Sequence, residues 1–383
     1  MAHTFLTPSK IISGSNALND AQATIASCGT KALIVTDETM IELGNAQKVI
    51  DILSANDQKF VIYAGISGEP NDIMISEGVK VYQENECDFL IAIGGGSPID
   101  SMKAIAMMNQ SKEPIASYMG KNIEMDLPKM VAIPTTAGTG SEATMFTIIT
   151  DNASEVKMLL KGACLIPDIA LIDPAFSMSA PKSVTSFTGI DALCHAVEAY
   201  TSKKAQPLSD TFALSAIKRI FNNLLIAYNE PSNEEARIQM SLAALEAGIA
   251  FNNSSVTIVH GMSRPIGALF HVPHGLSNAM LLEGCMKYVV DGAYERFADI
   301  ARYTGVSTST SDKKATNDFI SYLTDFLAKM NIPTMSEYGI DKETFDGCID
   351  KMANDAYASG SPSNTRKEIK VNDMIRLYKE IYK

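Results

Sequence analysis

The sequence lacks paired cysteines, long apolar runs and an excess of basic residues, and each absence excludes a class of protein. The six cysteines are scattered without a Cys-x-x-Cys pair, which is typical of reduced thiols in a cytosolic protein. No apolar run approaches the roughly 18 to 20 residues that span a bilayer. The formal net charge of −12 argues against a general affinity for nucleic acid or anionic membrane. Since no basic segment leads into an apolar one at the start of the chain, we expect no signal peptide and a cytoplasmic location.

The pattern of the sequence changes near its middle, and a length of 383 residues already favours two domains. In the first half, short apolar runs such as residues 31–37 alternate with helical patterns such as residues 45–54. This alternation predicts a parallel sheet covered on both faces. After about Ser179 the apolar residues recur mainly at helical spacing. We therefore predict an α/β dinucleotide-binding domain at residues 1–180 and a helical, metal-binding domain at residues 181–383.

Four of the five histidines lie in one region of the second half, and three of them stand at metal-ligand spacing with an aspartate. Asp191 and His195 are four residues apart, so a helix would place both on one face. His260 and His274 add two further imidazoles. One carboxylate and three imidazoles suit a divalent first-row metal and leave room for water or substrate. The spacing therefore predicts a metal site.

Three consecutive glycines, Gly94, Gly95 and Gly96, follow a predicted strand and open a predicted helix. Glycines allow a ligand to approach the backbone closely, and free N–H groups at a helix start bind anions. Ser97 as N-cap and Asp100 three residues later would make a well-formed helix start, but this does not explain the glycines. We interpret the run as a diphosphate site, although it is neither G-x-G-x-x-G nor a P-loop.

Two further polar positions follow predicted strands. The loop at residues 134–142 is rich in hydroxyl groups and small residues, which suit ribose and phosphate oxygens. Asp37 stands at the end of an early strand and could accept hydrogen bonds from an adenosine ribose, which would favour NAD over NADP. Asp37 could equally cap the helix that follows it.

Taken together, these motifs resemble the iron-containing (group III) alcohol dehydrogenase family. The resemblance implies a dehydroquinate synthase-like fold, in which a Rossmann-like α/β domain precedes an all-α domain and the site lies in the cleft between them. It also implies NAD and one divalent metal, Fe²⁺ or Zn²⁺. The matching segments, in order, are residues 31–37, 94–100, 134–142, 189–200 and 260–278.

The resemblance also implies roles for individual residues. The metal ligands would be Asp191, His195, His260 and His274. The cofactor diphosphate would lie at Gly94, Gly95, Gly96 and Ser97, with Asp100 in the same motif. The rest of the cofactor channel would be lined by Thr135, Thr136, Thr139 and Ser141, with Lys157 at a ribose, and Asp37 would disfavour a 2′-phosphate. Phe146 and Phe251 would lie near the nicotinamide and the substrate.

The sequence departs from the family pattern at a position one turn after His260, where many members have a histidine that relays a proton. Here the residue is Arg264, and His271 is a possible replacement or a surface residue. Arg264 could hold the carboxylate or sulfonate of a short aldehyde. It could also pair with a protein carboxylate or lie along the cofactor diphosphate. A smaller departure is Glu69, where many members have asparagine.

The sequence therefore predicts an NAD-dependent and metal-dependent alcohol dehydrogenase or aldehyde reductase that acts on short primary alcohols and aldehydes. The alternative is a reductase specific for an anionic aldehyde, such as a semialdehyde or sulfoacetaldehyde, held by Arg264. A lyase of the dehydroquinate synthase type and a non-catalytic binding protein rank lower. We expect a homodimer or larger homo-oligomer and no nucleic-acid or membrane partner.

Overall fold

Eight strands and fifteen α-helices run through the part of the chain that the computed structural model describes, residues 2–154 and 156–382. One compact unit is Leu6–Ala180, and the other begins at Pro181 and includes the N-terminal residues up to Phe5. The strands are β1 (Lys10–Ser13), β2 (Lys31–Val35), β3 (Lys59–Tyr63), β4 (Phe89–Gly94), β5 (Lys129–Pro134), β6 (Phe146–Asp151), β7 (Val156–Lys161) and β8 (Ile169–Ile172).

The first unit is built on a six-stranded parallel sheet of order β1-β8-β5-β4-β2-β3. In β4 the residues Phe89, Ile91 and Ile93 pack into one core cluster, and Leu90 and Ala92 pack into the other. Both faces of this strand are therefore buried, which is why its sequence is continuously apolar. The predicted parallel sheet covered on both faces is confirmed. The helices of this unit are α1 (Ala17–Asp20), α2 (Gln22–Ala26), α3 (Glu38–Glu42), α4 (Asn45–Ala55), α5 (Asp72–Glu84) and α6 (Gly96–Gln110).

The order in which successive strands are added to the sheet reverses between β2 and β4. Strand β3 lies on one side of β2, whereas the next strand, β4, lies on its other side. In open α/β sheets, ligands bind outside the carboxyl ends of the strands at such a switch point. Asp37 follows β2 and the three glycines end or follow β4, so the predicted cofactor residues flank this position.

The antiparallel pair β6–β7 and the edge strand β1 were not predicted. Strand β6 contains Thr147 and Thr150 among its apolar residues, and it belongs to the two-stranded pair rather than to the main sheet. Strand β1 has four residues and lies at the edge of the sheet, with Ile11 exposed. Short and partly exposed strands carry a weak sequence signal because little of their surface is buried.

The second unit is helical in its described residues, as predicted. Its helices are α7 (Lys182–Thr201), α8 (Pro207–Asn229), α9 (Glu234–Ser254), α10 (Ile258–Phe270), α11 (His274–Val289), α12 (Tyr294–Thr304), α13 (Asp312–Ala328), α14 (Lys342–Ala358) and α15 (Val371–Ile381). Among the described residues no single helix is long and apolar enough to cross a bilayer; α9 and α10 meet that test only as a pair, which is bent by 105°.

Candidate functional site

Three helices of the second unit bring the predicted metal ligands together. Asp191 and His195 lie four residues apart on α7, as their spacing predicts, and both are buried. His260 lies in the first turn of α10, and His274 is the first residue of α11. Gly275 allows α11 to approach α7 closely, since a Cβ there would lie 2.8 Å from the carbonyl oxygen of Phe187.

The ligand atoms of these four side chains fit a single divalent ion. Oδ1 of Asp191 lies 3.6 Å from Nε2 of His260 and 3.9 Å from Nε2 of both His195 and His274. The four atoms all lie within 4.8 Å of one another. Ligands held at roughly 2.0 to 2.2 Å from one ion have separations of this kind. The side chain of His274 is 40% exposed, so the cluster has an open side.

The buried groups of the cluster shift each other's pKa values. Burial favours the neutral form of Asp191, but the imidazoles around it lower the pKa of this carboxyl below its usual range. Desolvation of the ring and the positive charge of neighbouring imidazoles lower the pKa of His274 in spite of Asp191. Burial acts to lower the pKa of His260, but Glu198 and Asp191 raise it to about 9. His260 must therefore release a proton from Nε2 before that nitrogen can bind a metal.

Two residues at this cluster were missed in the sequence. Glu198 follows His195 on the same face of α7 and binds Nδ1 of His260. Asn278 lies four residues after His274 on α11, and its Nδ2 donates to Oδ1 of Asp191 at 2.7 Å. The same amide nitrogen lies 3.1 Å from Nε2 of His260 and 3.2 Å from Nε2 of His274. Their helical spacing from the ligands was a signal that could have found both.

Phe251 packs against the cluster. Its ring stacks on His195 with a centroid distance of 4.3 Å, and His195 in turn stacks on His260 at 4.4 Å. The aromatic ring thus limits the rotation of a ligand imidazole and covers it from solvent. Phe146 belongs to the other unit, where it begins β6 and is half-buried.

Arg264 lies one turn after His260 on α10 and is half-buried. Its Nη1 donates to Oγ of Ser361 at 3.1 Å. Among the described residues no carboxylate lies within 4.0 Å of its guanidinium; burial lowers the pKa of Arg264, and the negative charge of Glu198 raises it. Ser361 belongs to the segment at residues 359–364, in which Nδ2 of Asn364 donates to the carbonyl oxygen of Val256 at 3.0 Å.

His271 caps the carboxyl end of α10 in the left-handed conformation, with φ of 54°, and is exposed. Its carbonyl oxygen accepts a hydrogen bond from the hydroxyl of Tyr338 at 3.4 Å. In the described structure no hydrogen bond or ring contact joins its imidazole to the ligand cluster. His271 therefore lies at the surface, and its part in a proton relay stays a prediction.

The glycine loop of the first unit differs in detail from the prediction. Helix α6 begins at Gly96 with Gly95 as its N-cap, so Ser97 is its second residue and not the N-cap. Gly94 has φ of +155°, and a Cβ there would lie 2.4 Å from Pro98. The chain can therefore turn into the helix earlier than a serine cap would allow, which leaves a glycine backbone at the helix start.

The second polar loop is tied to α6 by buried charges. Asp100 accepts a hydrogen bond from the hydroxyl of Ser141 and another from the backbone N–H of Ile148 at 2.9 Å. Lys103, missed in the sequence, is fully buried, and its Nζ donates to Oγ of Ser141 at 3.1 Å and to the carbonyl oxygen of Phe146 at 2.8 Å. Burial lowers the pKa of Lys103 to about 8. The polar groups of Asp100 and Ser141 are thus engaged within the protein.

The three threonines of the second loop follow β5 and face the glycines. The backbone N–H of Thr135 donates to the carbonyl oxygen of Gly94 at 2.9 Å. A Cβ on Gly95 would lie 3.5 Å from Oγ1 of Thr136, and one on Gly96 would lie 3.1 Å from Cγ2 of Thr139. The two loops are therefore in contact at the carboxyl ends of neighbouring strands.

Asp37 and Lys157 have partners in the protein as well. Oδ1 of Asp37 accepts a hydrogen bond from the backbone N–H of Met40 at 2.9 Å, so Asp37 caps α3. A carboxylate retains a second oxygen after capping a helix, and the ribose role therefore stays a prediction. Nζ of Lys157 forms an ion pair with Glu69 at 2.7 Å. The ammonium group of Lys157 is thus paired with Glu69, the residue at which the sequence departs from the family pattern.

Comparison with known proteins identifies the family. Residues 8–174 match the family description iron-containing alcohol dehydrogenase, and residues 185–382 match Fe-containing alcohol dehydrogenase family, C-terminal. The choline dehydrogenase of Bacillus subtilis (strain 168) is 33% identical over 372 residues, which are 96% of this chain and 92% of that protein. The NAD-dependent methanol dehydrogenase of Bacillus methanolicus is 33% identical over 383 residues, 99% of each chain.

The fold agrees with these sequence matches. The crystal structure of a 1,3-propanediol oxidoreductase superimposes with a TM-score of 0.95 and 31% identity, covering 100% of both chains. The metal-ligand cluster, the two-part fold and matches that span nearly the whole chain therefore lead to one conclusion. The protein belongs to the iron-containing alcohol dehydrogenase family and is an oxidoreductase that acts on CH–OH groups.

Proposed function

We propose that the protein is an NAD-dependent and metal-dependent alcohol dehydrogenase or aldehyde reductase for short primary alcohols and aldehydes. The observation that carries this proposal is the cluster of one carboxylate and three imidazoles within 4.8 Å. Asp191, His195, His260 and His274 would hold Fe²⁺ or Zn²⁺, since this donor set accepts either. When bound, such an ion supplies Lewis-acid stabilisation of charge on the substrate oxygen.

Several features of the first unit support NAD as the hydride carrier. Gly94, Gly95 and Gly96 offer backbone to a diphosphate at the start of α6. Asp37 stands at the carboxyl end of β2, where a carboxylate disfavours a 2′-phosphate. The nicotinamide, when bound, supplies the hydride chemistry. Further cofactor contacts are proposed for Ser97, Thr135, Thr136, Thr139 and Lys157, and Asp100 and Ser141 would support the loop.

The chain's own residues orient the substrate and keep water away. His195 and His260 are buried, and only the His274 side of the cluster is open. The ring of Phe251 on His195 makes one wall beside the ligands apolar. A short alcohol would therefore enter over His274, with its oxygen towards the ligand atoms. We propose the wall formed by Phe251 as the contact for its carbon chain, and Phe146 as a contact for the nicotinamide.

The test is NADH consumption by the full-length protein, reconstituted with Fe²⁺ or Zn²⁺, in the presence of a panel of short aldehydes. Turnover of propanal, lactaldehyde or 3-hydroxypropanal that depends on added metal and prefers NADH to NADPH supports the proposal. No turnover with any aldehyde would contradict it. Preference for NADPH would contradict the role of Asp37 alone.

A second candidate, a reductase of anionic aldehydes, is favoured by Arg264. Among the described residues its half-buried guanidinium donates to Ser361 and has a longer-range attraction to Glu198, and a planar fork of this kind binds carboxylate or sulfonate. The related enzymes named above act on choline, methanol and 1,3-propanediol by their names, and none of these substrates is anionic. We therefore keep the neutral substrate as the leading proposal.

The two candidates are separated by a matched pair of substrates. Butanal and 4-oxobutanoate differ in the group at the far end of the chain, a methyl in one and a carboxylate in the other. In the anionic case, Arg264→Gln lowers kcat/KM for 4-oxobutanoate relative to butanal by about tenfold or more, since a charge-assisted hydrogen bond is lost. Arg376→Gln, on the exposed side of α15, is the matched control. An unchanged ratio removes Arg264 from substrate recognition.

The remaining expectations stay predictions. These are domains at residues 1–180 and 181–383, a homodimer or larger homo-oligomer, and a cytoplasmic location. Light scattering of the purified protein tests the expected homo-oligomer directly, because a monomeric mass would contradict it.

A further inference from the structure

Glu198 is a fully buried carboxylate whose described contacts include no lysine or arginine within 4.0 Å. Its Oε1 accepts hydrogen bonds from the hydroxyl of Thr257 at 2.7 Å and the backbone N–H of Val259 at 2.6 Å. Its Oε2 binds Nδ1 of His260. Burying an ionised carboxylate is costly unless its lone pairs are hydrogen-bonded, and here three donors provide those bonds. The lone pairs of Glu198 are therefore satisfied within the protein.

The position of Glu198 follows from the helix that carries the metal ligands. Asp191, His195 and Glu198 occupy positions i, i+4 and i+7 of α7, which lie on one face. The same helix thus presents a ligand carboxylate to one edge of the His260 ring and an acceptor carboxylate to the other.

The two edges of the His260 ring differ in their nearest partner, which is an acceptor at Nδ1 and a donor at Nε2. Nδ1 faces the carboxylate of Glu198, which can only accept. Nε2 lies 3.1 Å from the amide Nδ2 of Asn278, which donates, and 3.6 Å from Oδ1 of Asp191. A neutral imidazole has one N–H, so the acceptor at Nδ1 places the hydrogen there and leaves the lone pair of Nε2 directed at the cluster.

We propose that Glu198 is a positioning residue of the metal centre. It orients the His260 ring, keeps the proton on Nδ1 and so makes Nε2 available to a divalent metal. Its charge also strengthens the imidazole as a donor, as an acceptor carboxylate behind a ligand histidine does in other metal sites. This inference rests on the proposed metal role of Asp191, His195, His260 and His274.

The test is the affinity of the metal-free, full-length protein for Zn²⁺, measured by competition with a chromogenic chelator. Glu198→Gln keeps the shape of the side chain but removes its charge, and we expect Zn²⁺ binding to weaken by about 10- to 100-fold. The matched control is Glu246→Gln, a partly buried carboxylate of α9 that pairs with Arg219 instead. Equal affinity in the Glu198 variant and the unsubstituted protein overturns the inference and leaves the proposed function standing. An unsubstituted protein that binds no metal overturns both.

A spectroscopic measurement separates positioning from a general effect on folding. The chain has only five histidines, so ¹⁵N-histidine spectra of the Zn²⁺-loaded protein are simple to assign. We expect His260 to carry its proton on Nδ1, and a proton on Nε2 would overturn the inference. If Glu198→Gln does not fold, Thr257→Val removes one of the three donors and keeps the carboxylate. We expect that variant to weaken Zn²⁺ binding by a smaller factor, of about tenfold or less.

Discussion

The metal cluster of the helical unit and the glycine loop of the α/β unit present their binding groups in different ways. The proposed cluster uses side chains from three helices, and further side chains such as Glu198 and Asn278 form hydrogen bonds to them. The glycine loop would offer backbone N–H groups to a ligand. The charged side chains of the helix that follows it, Asp100 and Lys103, form hydrogen bonds within the protein instead. A site made of side chains depends on distant segments meeting, whereas a site made of backbone depends on local conformation.

Two buried carboxylates, one in each unit, illustrate the same contrast. Asp191 lies among imidazoles that lower the pKa of its carboxyl, so it remains ionised. Glu142, in the loop of the other unit, is also buried, but burial raises its pKa to about 7 in spite of Lys103. The surroundings of Asp191 therefore favour an ionised carboxylate, and those of Glu142 favour a protonated one. Substitution of each with its amide tests this difference.

The largest expected effect comes from Asp191→Asn. The amide keeps the size of the side chain but removes the only anionic ligand of the cluster, so we expect metal content to fall to background. NADH-dependent aldehyde reduction should fall by about three orders of magnitude, because the Lewis acid is lost. Elemental analysis and steady-state rates measure both. Retention of stoichiometric metal by this variant would remove Asp191 from the ligand set.

A smaller effect is expected from Glu142→Gln, and it depends on pH. In the folded protein Glu142 retains its proton up to about pH 7, whereas the unfolded chain releases it near the usual value of 4.5. The contribution of this carboxyl to stability is therefore lost as the pH rises through that window. The glutamine variant does not titrate, so its stability relative to the unsubstituted protein should increase from pH 5 to pH 7, by at most about 3 kcal/mol.

Urea unfolding of both proteins across that pH range measures the Glu142 effect. The exposed substitution Glu42→Gln is the control and should show a flat difference. A flat difference for Glu142→Gln as well would mean that Lys103 keeps this carboxylate ionised, and the two buried carboxylates would then be alike.

The smallest effect, about tenfold on the KM for NADH, is expected from Gly95→Ala, because a methyl group would meet a bound diphosphate. Within the protein the added Cβ would have only ordinary contacts, 3.5 Å from Thr136, so the melting temperature should change little. Gly94→Ala is the counterpart, since its φ of +155° and the contact at Pro98 predict a loss of stability. An unchanged KM in Gly95→Ala would place the diphosphate elsewhere.

Much of the architecture was predictable because its signals are local. The apolar runs of β2, β4, β5 and β8 reflect burial on both faces of a parallel sheet, and the helices of the second half follow an apolar period. The pair β6–β7 was missed because its strands are partly exposed, and Ser97 was misplaced because the turn at Gly94 begins the helix earlier.

The sequence indicated the four side chains of the candidate metal cluster, but it did not indicate the residues that form hydrogen bonds to them. Asp191 and His195 are one helical turn apart, so their shared face follows from the sequence. Glu198 shares that face too, but its partner at His260 comes from a different helix. Lys103 likewise resembles any lysine of an amphipathic helix until its acceptors on the second loop are known.

The order of the elements, the types of candidate ligand and the glycine backbone at the end of β4 can be read from the amino-acid sequence, because each depends on residues close together in the chain. The groups that face each other across helices and loops follow only from the packing of the folded protein. This packing pairs Glu198 with His260, Lys103 with the second loop and Arg264 with Ser361. Such pairings depend on how buried segments pack, because a buried polar group has to find a partner wherever the fold places one.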